Sequence, residues 1–306
     1  MKNYQLNYCE NFKCIADKCK HTCCAGWELN IDEKTLGDYK NNTSNFSNVL
    51  KQGVDFKKSK FKVDRNKRCA FLNDKNLCDI IINLGENSLC QVCTDHPRFR
   101  SFFDDRIETG LGFCCEEATR LILSFNDKIT PVLTFDDKVN TQLDFTQKNV
   151  LEFRGKALKI IQDRKTPIND RIQNLLRECR FNFDAKKFEK VIKLFLSFET
   201  VDKKWTKKIK AIKNKSLTIQ TEESCSLVAE QFLVNSIYRH LSDAEDTLWV
   251  RAKAIACVLC WWLVSSIAKQ TNSDIFDTVR SFSTEVEYSI KNLQKLYTFA
   301  YKLISI

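Results

Sequence analysis

A chain of 306 residues has room for one large domain or two moderate ones, and its 43% hydrophobic content can supply a core. Seven glycines and three prolines are too few for the many turns of a sandwich or barrel, so helices are favoured. A formal charge of +10 favours anionic partners (nucleic acid, an acidic protein face, an anionic membrane surface) and selects none of them.

The opening residues, MKNYQLNYCE, lack the apolar core of a signal peptide. Trp27, Leu29 and Ile31 alternate and predict a short strand. Asp32 is placed to cap a helix over 33–40, and the polar, lysine-rich stretch 41–66 reads as loop. A compact run of short elements is expected over 68–100. After Cys115, the helical spacing of Ala118, Leu121, Ile122 and Phe125 predicts a helix with Glu116 and Glu117 in its first turn. Residues 126–147 read as a connector, with a turn at Thr134–Asp137.

Beyond the connector the pattern is helical almost throughout. One helix is expected over 148–164, and another opens at Thr166-Pro167, with threonine as cap and proline at the first position. A third follows Asp184, and further helices fit 222–241, 245–268 and 275–303. No stretch reaches 18 apolar residues. Ala254–Ala268 comes nearest, with 15 uncharged residues, and reads as a buried helix. The expected fold is therefore mainly α: an irregular cysteine-rich region, 1–125, packed on a helical bundle, 126–306. No transmembrane segment is expected and a cytoplasmic location is.

Eleven of the fifteen cysteines lie at or before Cys115, and four are scattered beyond it. An odd total rules out complete pairing within the chain, and a reducing compartment disfavours disulfides, so thiolate–metal ligation is the better account. The first group reads Cys14-x4-Cys19-x3-Cys23-Cys24, and the second is Cys69, Cys78 and Cys93, followed by Cys115. Soft thiolates select zinc, copper(I) or an iron–sulfur cluster, and spacing alone leaves zinc and iron–sulfur level. The single Cys-x2-Cys knuckle in this region is Cys90–Cys93, which is half of a zinc ribbon. His21 sits inside the first group as a further candidate donor.

These residues resemble the flagellin lysine N-methylase family. The likeness runs through Phe12-Lys13-Cys14, Cys19-x3-Cys23-Cys24-Ala25-Gly26-Trp27, Cys69-Ala70-Phe71-Leu72 and Leu77-Cys78. It continues through Leu84-Gly85-Glu86 and Cys93-x3-Pro97-Arg98 to Cys115-Glu116-Glu117-Ala118-Thr119-Arg120-Leu121, with a weaker echo at Gln231-Phe232-Leu233-Val234-Asn235. The front part also looks like small cysteine-rich proteins that chelate zinc or iron. The resemblance implies methyl transfer from S-adenosylmethionine to flagellin lysines, with a four-iron, four-sulfur cluster; zinc is the alternative metal. It assigns Cys14, Cys19, Cys23, Cys24, Cys69, Cys78, Cys93 and Cys115 as candidate ligands, and leaves Cys9, Cys90 and Cys114 as weaker ones.

Two common signatures for S-adenosylmethionine are missing. Gly110-x-Gly112 is not followed by the rest of a dinucleotide fingerprint, and Gly26 stands where the third cysteine of a Cys-x3-Cys-x2-Cys motif would be. Arg98 is the candidate to hold a cofactor carboxylate. Glu116 and Glu117 are either bases for a lysine amine or plain helix-start acids. Lys203–Lys215 (KKWTKKIKAIKNK) reads as a solvated face or as a surface for an anionic partner. Cys257 and Cys260 share one face of a buried helix and are expected to pack. The expected partner is a protein substrate rather than nucleic acid, with peripheral contact to an anionic membrane left open.

Overall fold

The computed structural model describes residues 1–26, 29–138, 141–182, 185–212 and 220–305. It divides into two compact units, Met1–Phe12 with Phe99–Ile306, and Lys13–Arg98. The expected region 1–125 therefore includes stretches of both units.

Strand β1 (Lys2–Leu6) opens the chain. The Lys13–Arg98 unit holds short elements: α1 (Glu33–Lys40), α2 (Ser47–Gly53), β2 (Val54–Asp55), β3 (Lys60–Phe61), α3 (Asp79–Leu84) and α4 (Gln91–Asp95). Its core is small and aromatic. Ile31, Tyr39, Phe46, Leu50, Val54, Phe61, Phe71 and Ile80 are buried together with Cys90. Phe61 and Phe71 meet edge to face at 5.4 Å, and a side chain added at Gly53 would run into the Phe71 ring.

The larger unit continues with β4 (Arg98–Phe102), β5 (Arg106–Leu111), α5 (Glu116–Leu123), β6 (Pro131–Asp136), α6 (Phe145–Ile161), α7 (Ile168–Glu178) and α8 (Ala185–Leu196). It ends with α9 (Lys203–Ala211), α10 (Ser226–His240), α11 (Thr247–Thr271), α12 (Ile275–Phe282) and α13 (Ile290–Ile304). The strands order as β4-β5-β1-β6, with β1 parallel to β5 and antiparallel to β6. A bulge between Asn3 and Tyr4 leaves Thr134 without a partner across the ladder.

Helix α11 is the centre of the larger core, with fifteen buried residues from Val250 to Ile267. Among the described residues it is the one helix long and apolar enough to cross a membrane, and 83% of its most apolar stretch is buried. Helix α10 is buried on nearly all sides, and its polar residues are used internally. Asn235 accepts from the Tyr8 hydroxyl at 2.5 Å and donates to the Leu111 carbonyl at 3.1 Å. Gln231 donates to the carbonyls of Phe125 and Asp127. Phe232 stacks on Phe113 at 5.2 Å. The weaker echo, Gln231–Asn235, is thus a tie between α10 and the strand–helix layer.

Several buried charges in this unit are paired. Arg154 meets Glu108 at 2.7 Å, with both side chains nearly closed off from water. Glu230 takes Arg164 at 2.8 Å and Arg171 at 2.7 Å. Glu287 takes His240 at 2.8 Å and Arg239 at 3.2 Å, and His240 is held on its other nitrogen by the Tyr297 hydroxyl at 2.8 Å.

The mainly helical class expected from sequence is observed, and the local differences have physical reasons. Helices α2 and the β2–β3 pair replace the loop expected over 41–66, because Leu50, Val54 and Phe61 bury their side chains despite lysine-rich surroundings. No named strand covers 29–31; Asn30 makes one isolated bridge to Lys60, and Trp27 lies outside the described residues. The turn expected at Thr134–Asp137 is the end of β6, an exposed edge strand with no buried face to betray it. Pro167 rather than Thr166 is the cap of α7, since Thr166 turns its hydroxyl to Asp163 at 2.8 Å. The helix expected over 275–303 is broken by a π-helical turn, Ser283–Glu287, that aims Glu285 and Glu287 inward. Asp184, expected before α8, lies outside the described residues.

Candidate metal centre

The cysteines of the Lys13–Arg98 unit are placed by turns and helix starts. Asp64 accepts from the backbone of Asn66 and Arg68 at 2.7 and 2.8 Å, which closes a turn and returns the chain toward Ala25. Cys69 then donates its amide to the Cys24 carbonyl at 2.8 Å, setting the two cysteines on paired backbones. Asn73 closes the next turn by accepting from Lys75 and Leu77 at 3.0 and 3.1 Å, and Leu72 bridges to Cys78. Cys78 is the residue before α3 and Cys90 the residue before α4.

One carboxylate sets the position of α4. Asp32 caps α1 by accepting from Thr35 at 3.0 Å, and its second oxygen accepts from Gln91 at 2.8 Å. The Gln91 and Thr35 amides hold its pKa below the ordinary aspartate value. The chain emerging from Asp32 and the chain starting at Cys90 are therefore joined at one point.

Five thiols share an electrostatic neighbourhood: Cys24, Cys69, Cys78, Cys90 and Cys93. Burial pushes Cys69 up to about 12, and charge on Cys24, Cys78 or Cys90 adds to the rise. Burial likewise raises Cys78, with Cys24 contributing. Cys90 and Cys93 form a hydrogen-bonded pair that lowers the first and raises the second. Cys24 is pulled down to about 7 by its hydrogen bond with Cys23, against burial and with help from Thr22 and Arg68. Tyr39 is raised by burial, with Cys90, Cys93 and Cys78 adding to the rise. Its hydroxyl donates to the Ser88 carbonyl at 2.6 Å.

Of the residues expected as ligands, Cys24, Cys69, Cys78 and Cys93 fall in this electrostatic neighbourhood, with Cys23 hydrogen-bonded to Cys24. Cys14 is exposed and accepts from the amide of Ala16, while Cys19 donates to the His21 carbonyl at 3.3 Å. Cys115 belongs to the larger unit, where it precedes α5. Cys90, the weaker candidate by sequence, is a full member of the thiol group and completely buried. The available signal was its two-residue spacing from Cys93.

The donor chemistry fits a soft cation. Each thiol that loses a proton makes the next loss harder, and a metal or cluster would supply the opposing charge. Among the described residues, however, no group of three or more histidine, cysteine or acidic side chains is gathered closely enough to hold an ion.

The other sequence candidates have local partners. Arg98 donates to the Thr94 carbonyl at 3.4 Å, within the same unit as the thiols. Glu117 is paired with Arg120 one turn on, in the first turn of α5. Cys257 and Cys260 are buried in the core of α11.

No family model matches the chain, and neither does any solved structure. Curated relatives do. Over 125 residues, 38% of this chain, it is 25% identical to a lysine-N-methylase of Salmonella choleraesuis (strain SC-B67). The same identity holds over 124 residues with a lysine-N-methylase of Salmonella typhimurium. In that stretch the chain is similar to proteins named lysine-N-methylase. It also matches a flagellar biosynthetic protein, FliU, of Salmonella muenchen at 25% identity over 74% of that protein. The matched stretch spans only 31% of each lysine-N-methylase.

Proposed function

We propose that this chain is a protein-lysine N-methyltransferase that uses S-adenosylmethionine and carries a four-iron, four-sulfur cluster on its cysteine-rich unit. The match to proteins named lysine-N-methylase carries the reading of the reaction. The shared electrostatic neighbourhood of Cys24, Cys69, Cys78, Cys90 and Cys93 supports the metal. The name of the FliU relative supports a flagellar protein, with flagellin as the substrate.

S-adenosylmethionine would supply an electrophilic methyl group, and the cluster a charge-compensating centre. The chain's own residues do the rest. Cys24, drawn toward the thiolate by Cys23, and Cys69, Cys78, Cys90 and Cys93 would hold the cluster, whose positive charge would offset their mutual repulsion. Asp32 and the two Asx turns hold their backbones in place. Arg98 is the cation offered to the cofactor's carboxylate from this unit.

The test is transfer of labelled methyl from S-adenosylmethionine to lysine in flagellin by anaerobically purified protein, with iron and sulfide measured alongside. Labelled lysine and bound iron support the reading. A colourless protein holding one zinc and transferring no methyl would refute it. That outcome is the second reading, a zinc-held protein-binding scaffold, which the hydrogen-bonded Cys90-x2-Cys93 knuckle favours.

A further inference from the structure

Helix α9 presents a dense cationic face. Lys203, Lys204, Lys207 and Lys210 are exposed, and Lys208 is half-buried. Lys203–Lys207 and Lys204–Lys208 stand four apart, and Lys204–Lys207 and Lys207–Lys210 three apart, so four like-charge pairs meet along one helix. Each such pair weakens a helix. Lys203 and Lys204 also crowd the positive pole at its N-terminal end.

Among the described residues no ion pair offsets this: none of the five lysines is ion-paired, and Asp202, Glu285 and Glu199 are used elsewhere. Asp202 caps the helix through the Lys204 amide at 2.8 Å. Glu285 accepts from the amides of Val201 and Asp202 at 2.7 and 2.8 Å. Glu199 takes Ser289 and Lys291. The neighbouring helix α8 adds exposed Lys190 and Lys193.

We propose that α9 is a docking face for an acidic, aspartate- or glutamate-rich polypeptide segment. It goes beyond the methyl-transfer reading and stands if that reading fails. The complementary charge is the argument, and the rest of the helix selects the class of partner. Its apolar side is committed inward: Trp205 and Ile209 are buried, and the Trp205 ring lies 6.5 Å from Phe282. The helix therefore has no apolar face to insert into a lipid surface. It carries no arginine to fork a phosphate and no exposed aromatic ring to stack a base. Separate ammonium groups at helical spacing suit separate carboxylates.

The test uses the full chain and a fluorescein-labelled glutamate-rich peptide, followed by anisotropy. Binding is expected near 50 mM salt and weakens by about tenfold near 200 mM, because exposed charges are screened. The variant Lys203→Glu/Lys204→Glu/Lys207→Glu/Lys208→Glu is expected to lose about tenfold or more in affinity, several exposed pairs at a few tenths to 1 kcal/mol each. A control with the same charge change elsewhere, Lys34→Glu/Lys51→Glu/Lys57→Glu/Lys58→Glu, keeps the affinity within about threefold. If the first variant loses its helical circular dichroism, the glutamine version at the same four positions replaces it. No binding of the acidic peptide, an equal loss in test and control variants, or tighter binding of a DNA duplex than of the peptide would each overturn the proposal.

Discussion

Removing the Asp32 carboxylate should loosen the thiol group without touching a thiol. Asp32→Ala deletes two acceptors, one for Thr35 and one for Gln91. The lost Gln91 acceptor at the start of α4 costs about 1 kcal/mol, so α4 and the Cys90 that precedes it should open more easily by about that amount. That corresponds to an open population raised by about fivefold. Cys90 is fully buried, so its labelling requires opening. The assay is alkylation of reduced, metal-free protein under native conditions, with Cys90 modification followed by mass spectrometry. A roughly fivefold faster rate is expected for Asp32→Ala, and a smaller change for Asp32→Asn, which keeps a neutral acceptor. The pKa shift sets the pH dependence. A carboxyl held below its unfolded value stabilises above that value and loses the effect as pH falls through its folded value. The difference between wild type and Asp32→Asn should therefore shrink in strong acid. Unchanged Cys90 labelling in Asp32→Ala would refute the idea that this carboxylate positions the second cysteine group.

Serine at Cys24, Cys69, Cys78, Cys90 or Cys93 should lower the metal retained after anaerobic purification, measured by elemental analysis, while serine at Cys257 should not. Replacing Arg154 by leucine leaves Glu108 buried without its partner and should destabilise the chain by about 3–5 kcal/mol in denaturant unfolding; Arg154→Leu/Glu108→Leu should recover part of the loss. His96 is pushed down to about 4 by burial, and His240 is lowered by burial against the pull of Glu287. Both take up a proton less readily in the folded chain than in the unfolded one, so stability should fall as pH drops below about 6.5, the ordinary histidine value. Glu287 does not contribute to that fall: burial would raise it, but Arg239, His240 and Ser283 outweigh burial and hold it at about 2. A denaturation midpoint that stays flat between pH 7 and 5 would contradict this account.

Local chemistry that repeats or caps was legible in the chain. Asp32 before α1, Glu116 and Glu117 at the start of α5, and the apolar run of α11 each act within a few residues, and each appears where expected. The sheet was harder to read. Strand β1 pairs with β5 across about a hundred residues, and β6 is exposed along its whole length, so neither carries the alternation that marks a half-buried strand. Buried polar residues were equally silent. Asn235 and Gln231 look like surface residues until Tyr8, Leu111, Phe125 and Asp127 are folded against them.

The cysteine count and its crowding before Cys115 were settled by the sequence itself, because composition and spacing need no fold to be read. Which thiols meet was decided only by tertiary structure. Cys24 and Cys69 become neighbours through one backbone hydrogen bond and Cys78 is returned by an Asx turn. Cys90 and Cys93 arrive through the Asp32 carboxylate. The Cys115 landmark lies in the other unit. Thiolate repulsion and burial depend on distance in space, and spacing along the chain carries little of that distance once turns intervene.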